Sequence, residues 1–205
     1  MNFFTLSDKG RVRPNNEDYA ESLNLKWCGP EGNTMEVTGL ILADGMGGAA
    51  AGEYASRLAV KEIKERMMSQ VLLKQPEQML NDDRTLFLEE WFIEANAAIF
   101  KEASSNAEME GMGTTIVTAI IYKNSMALAH VGDSRCYKYN DGALTQLTRD
   151  HSLVQEFIDA GRITEQEAFT HPQRNVITRA LGVAETLEVA RKNLILESGD
   201  LILMC

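Results

Sequence analysis

Positive charge is scarce in this chain. Its 205 residues carry 20 Lys and Arg against 30 Asp and Glu, a formal net charge of −10. Nucleic acid needs a basic face for its phosphates, so it is set aside as a partner. The acidic excess leaves room for a cation site built from carboxylates, although a solvated acidic surface accounts for most of it. Cysteine is also sparse. Cys28, Cys136 and Cys205 are scattered, with no Cys-x-x-Cys pair, which points to structural thiols in a reducing compartment. Long apolar runs are missing. None approaches about 18 residues, so no membrane span is expected. The opening "MNFFTLSDKGRVRP" lacks the basic start and apolar run of a signal peptide. A cytoplasmic protein is expected.

What is present describes one globular unit, with 44% apolar residues. "NFFTLS" (2–7) and "EDYAESLNL" (17–25) read as strands. "VTGLILAD" (37–44) is a continuous apolar run suited to a central strand. From Gly52 the period changes, and Ala55, Leu58, Ala59, Ile63 and Met67 share one helical face. "KQPEQMLNDDR" (74–84) breaks the pattern, and a second helix follows with Leu88, Phe92, Ala95 and Ile99 as its buried stripe, fraying near Ser104–Asn106. Strands are then read over 113–122, 126–133 and 135–140, with "NDG" (140–142) as a hairpin turn into "ALTQLT". Ser152 with Gln155, and Thr164 with Glu167, read as capping boxes of two short helices, the first ended by Gly161. "LEVARKNLIL", "ESGD" and "LILMC" read as a closing hairpin. Two long helices in succession are not strand crossovers, so the fold expected is α+β: antiparallel sheets stacked on each other with helices outside.

The stretch "ILADGMGGAAAGEYAS" (41–56) places one acid, Asp44, where a strand gives way to glycines. Gly45-x-Gly47-x-x-Ala50 fits a loose dinucleotide fingerprint. Against it, Asp44 would face a pyrophosphate with negative charge, and the next helix leads to another helix, not to a parallel strand. A metal site fits better. Hard divalent cations take oxygen ligands; Asp44 supplies a carboxylate, and Gly45 can turn its carbonyl to the same ion. Glu17 and Asp18 at the start of one strand, and Asp133 at the end of another, are further acids at strand termini. Arg13, four residues before Glu17, suits the outer oxygens of a phosphate, with Arg11 as its competitor.

Six segments in order resemble the type 2C metal-dependent protein phosphatases (the PPM family) in their bacterial form. They are "SDKGRVRPNNED" (7–18), "LADGMGGAAAGEYAS" (42–56), "GMGTTIVTAII" (111–121), "AHVGDSRCYKY" (129–139), "LTQLTRDHSLV" (144–154) and "HPQRNVITRALG" (171–182). The resemblance implies a four-layer αββα sandwich: two antiparallel sheets flanked by helices. It implies a single catalytic domain over 1–205 with a flap at about 149–180. The activity implied is hydrolysis of phosphoserine and phosphothreonine in proteins by a metal-activated water, with two or three Mn²⁺ or Mg²⁺ ions. Asp44 would bridge two metals and the Gly45 carbonyl would bind one. Glu17 and Asp18 would bind ions or their waters, Asp133 would belong to a third site, and Arg13 would contact the substrate phosphate. Partners would be phosphorylated proteins, the products of serine/threonine kinases. No Cys-x5-Arg loop or Gly-x-Ser-x-Gly elbow offers a covalent route.

Two departures from the family pattern matter. Where some members carry a histidine after Asp-Gly, this chain has Met46; its only histidines are His130, His151 and His171, of which His151 and His171 lie in the flap region and could approach substrate, but read as structural. "GDLILMC" (199–205) stops inside an apolar strand. This reads as a chain cut before its last strands and before the family's Ser-Asp-Gly and Asp-Asn units, which carry two further metal ligands. The alternative function is then a catalytically incomplete phosphoprotein-binding or regulatory module, and exposed sheet edges would allow a non-native dimer.

Overall fold

The computed structural model describes residues 2–11, 13–29, 31–73 and 85–205. The break expected at 74–84 lies outside the described residues. The architecture is α+β, with two antiparallel sheets and four α-helices among the described residues. Strand β1 (Asp18–Cys28) pairs along its length with β2 (Thr34–Met46). β2 continues past Asp44 and changes partner: its middle pairs with β4 (Ile116–Tyr122), and Gly45 and Met46 pair with the two-residue β3 (Gly113–Thr114). β5 (Ser125–Val131) and β8 (Ala190–Ile195) complete the larger sheet, in the order β1-β2-β4-β5-β8. The smaller sheet runs β7 (Ala143–Gln146), β6 (Cys136–Asn140), β9 (Leu201–Met204).

Alternation in the central strands feeds two cores. One side of the larger sheet, with Ile41, Ile116 and Ile120, packs on α1 (Ala49–Leu73) and α2 (Leu86–Ser105). Helix α2 buries Leu88, Phe92, Ala95 and Ile99 as its spacing requires, and Phe87, Trp91 and Asn96 besides. The other side, with Val117, Ala119, Ile121, Met126 and Leu128, meets Cys136, Ile202 and Met204 of the smaller sheet. Both faces of β4 and β5 are therefore buried, which explains their unbroken apolar character.

Three local expectations differ. Residues 2–9 form no strand; Thr5 makes only a side-chain bond to Ser22, and Phe4 and Leu6 are exposed. β8 and β9 are not a hairpin, because they pair with β5 and β6 in different sheets. The 196–200 turn carries the chain from one layer to the other. Of the two short helices, α4 (Glu165–Thr170) has its full capping box, whereas α3 (Leu153–Asp159) has only the Ser152 half, because Gln155 turns its amide to Asp159.

Candidate active site

β1 and β2 lie in a register that sets Asp18 opposite Asp44. The preceding loop folds back over this end, and the Glu17 carbonyl accepts the Gly45 N–H at 3.1 Å. β5 delivers Asp133 to the same end through the Gly132–Arg135 connection. The result is an open cleft of about 600 Å³ whose walls include Arg13, Glu17, Asp18, Asp44, Gly45 and Asp133. All six residues singled out in the sequence meet there. Arg11 is not among the lining residues, and neither is any histidine. Lys9, Asn15, Asn16, Asn175 and Ile177 join the walls without having been foreseen. Asn16 accepts the Asp18 N–H and donates to Ser7, an Asx turn that "PNNED" could have signalled.

Asp44 is held by its backbone. Its N–H donates to Thr115 Oγ1 at 3.0 Å, and its carbonyl accepts from the Thr115 N–H and the Thr114 hydroxyl. Thr115 Oγ1 lies 2.6 Å from Ser134 Oγ, one residue past Asp133. Two buried hydroxyls thus link the supports of two cleft acids. No isolated stretch of sequence reveals these contacts, since Thr115 stands 71 positions from Asp44 and 19 from Ser134.

The Asp44 carboxylate opens on the cleft, but the surrounding walls displace enough water to disfavour its charge. Asp18, Asp133 and Glu17 add their negative fields, and together these push its pKa up to about 7. Burial also raises that of Asp133. Arg13, with a side chain 74% exposed, pairs with Glu17 at 3.6 Å and leaves much of its guanidinium free to face a ligand. Gly45 sits where a Cβ would lie 2.0 Å from the Gly52 carbonyl oxygen, so β2 and the first turn of α1 touch through backbone alone. A Cβ on Gly52 would lie 2.5 Å from Glu17 Oε2, so the missing side chains give that carboxylate its seat.

Crowded acids with one proton held too tightly are what a divalent cation relieves. Among the described residues, no three His, Cys, Asp or Glu side chains converge as a cage. The donor set therefore fits a hard ion held by one or two carboxylates, a carbonyl and several waters, as Mg²⁺ and Mn²⁺ are. The histidines serve elsewhere. His130 and His151 stack at 4.8 Å, and His171 packs edge-on against Phe157.

Comparison with known proteins agrees with this geometry. The family model described as protein phosphatase 2C matches residues 24–184. The serine/threonine phosphatase stp of Listeria welshimeri is 36% identical over 97% of this chain and 74% of its own length. The crystal structure of the Mycobacterium tuberculosis serine/threonine phosphatase PstP/Ppp superposes with a TM-score of 0.78 at 36% identity, covering 97% of this chain and 75% of that one. The PstP catalytic domain in complex with two manganese ions superposes with a TM-score of 0.75 at 34% identity, covering 97% of this chain and 74% of that one. An acid-lined cleft at one end of two stacked sheets, with these likenesses along nearly the whole chain, places it in the protein phosphatase 2C family of serine/threonine phosphatases.

Proposed function

We propose that the cleft is the phosphatase centre, with Asp44, Gly45, Glu17, Asp18 and Asp133 holding two or three Mn²⁺ or Mg²⁺ ions and Arg13 receiving the substrate phosphate. The observation that carries this is the placing of Asp18, Asp133 and Glu17 along the same cleft as Asp44, where burial first and then their negative fields push its pKa up to about 7. Bound divalent ions supply Lewis acidity and make a hydroxide nucleophile available near neutral pH. The protein's own part is mostly positioning. The Thr114–Thr115 pair fixes Asp44 from behind. Glu17 holds Arg13 at the rim, where a planar guanidinium can take two phosphoryl oxygens and the charge that builds on them. Met46, beside Asp44 in the cleft, has no proton to give a departing serine or threonine.

The substrates proposed are proteins phosphorylated by a serine/threonine kinase, and the 149–180 segment is proposed as the flap beside them. A cytoplasmic setting is supported by three free cysteines. Among the described residues, no helix is long and apolar enough to cross a membrane. Self-association is also proposed: among the described residues β9 pairs on one side only, and Leu201 and Leu203 are exposed. A sedimentation profile independent of concentration would refute it.

The test of the centre is Mn²⁺-dependent hydrolysis of p-nitrophenyl phosphate by this chain, with Asp44→Asn as control. Turnover lost in the control is expected. Turnover that survives in Asp44→Asn overturns the assignment. A folded chain that binds phosphopeptide without turnover would point to the binding-module alternative.

A further inference from the structure

We propose that His151 is a positioning residue for Asp133 and ties that carboxylate to the opposite wall of the cleft. The proposal rests on Asp133 being a metal ligand. His151 exchanges two hydrogen bonds with Gly132. The Gly132 N–H donates to His151 Nδ1 at 3.1 Å, and the His151 N–H donates to the Gly132 carbonyl at 2.9 Å. The first bond fixes the tautomer, because Nδ1 accepts only when it carries no proton. The ring lies flat on His130, with planes 10° apart, and His130 Nε2 donates to the Arg149 carbonyl at 2.8 Å. Asp150 grips Arg135 with both carboxylate oxygens. Asp150 and His151 therefore hold the connection that carries Asp133, and Arg149 holds His130 at the end of β5 that leads into it.

That connection needs holding. Gly132 has φ +105°, and a Cβ there would meet Thr115 at 2.6 Å, so neither its conformation nor its place suits another residue. His151 also reaches the other wall. Its carbonyl accepts the Thr178 N–H at 2.8 Å, and the neighbouring Leu153 N–H donates to Val176. Between those two bonds lies Ile177, which lines the cleft with Asn175. One residue thus joins the Asp133 wall to the Asn175–Ile177 wall. Groups that orient a metal ligand from behind typically change metal affinity about 10–100-fold when removed.

The experiment is calorimetric titration of the metal-free chain with Mn²⁺, with melting followed without metal. His151→Phe keeps a ring on His130 and removes the acceptor; His151→Asn returns an acceptor near the Nδ1 position. Phe is expected to weaken Mn²⁺ binding about tenfold and Asn to stay within about threefold of the parent. In an Asp133→Asn background, the Phe substitution should weaken it no further. A folded Phe variant that binds Mn²⁺ like the parent overturns the proposal, as does equal loss in Phe and Asn. Should the Phe variant not fold, His151→Gln, whose amide reaches the Nε2 position, replaces it, and equality of Gln and Asn overturns the proposal. An Asp133→Asn chain that binds Mn²⁺ unchanged sinks the ligand role of Asp133, and that failure appears with His151 untouched.

Discussion

On the proposed assignment, a proton and a divalent cation compete for Asp44. Its pKa of about 7, raised first by burial and then by Asp18, Asp133 and Glu17, exceeds the ordinary carboxylate value of about 3.9. The metal-free fold therefore binds this proton more tightly than the unfolded chain does. Its contribution to stability is complete below about pH 4 and lost as pH rises through about 7. Denaturation of the metal-free parent and of Asp44→Asn should differ in slope across that window, the variant being flatter. Mn²⁺ affinity should climb with pH through about 7, with proton release visible by calorimetry in buffers of different ionisation enthalpy. His151 behaves oppositely. Burial, then the neighbouring His130, lowers its pKa to about 4. The unfolded chain takes up its proton first, so stability is full above about pH 6.5 and lost as pH falls toward 4. His151→Asn should remove that acid slope in urea titrations followed by circular dichroism.

At the scale of elements, the joint between β2 and α1 is the least forgiving point. A methyl on Gly45 would collide with the Gly52 backbone at 2.0 Å, and no flexible side chain is there to yield. Gly45→Ala should lower stability by about 1–3 kcal/mol or more, read from urea midpoints, and weaken Mn²⁺ binding with it. The same joint was legible in the sequence, because an acid and three glycines between a strand pattern and a helix pattern allow few other arrangements. The clamp around Gly132 was not legible. "RDHS" and "GDSR" lie 17 residues apart, and the bonds between His151 and Gly132 and between Asp150 and Arg135 that join them form only in the folded chain. The 2–7 strand failed for a related reason: alternation shows what a segment can do, while a ladder requires a neighbour.

For the molecule as a whole, cohesion comes from the helix–sheet core. Phe92 and Trp91 are fully buried in it, and Phe92→Ala should cost about 3–5 kcal/mol in chemical denaturation. The fold class followed from the order of elements. The assignment of strands to sheets did not, because "ESGD" reads as a hairpin turn whether the next strand returns beside its predecessor or leaves for the other layer. It leaves, and this has a mechanical consequence. β5 and β8 are neighbours in one layer, and β6 and β9, into which they continue, are neighbours in the other. The two crossings lie at opposite ends: Gly132–Arg135 beside the cleft, and 196–200 past the far end of β8. Layers stitched at both ends resist sliding along the strands, so the crossing that brings Asp133 to the Asp44 end of the larger sheet is kept in step by a second crossing a full strand length away.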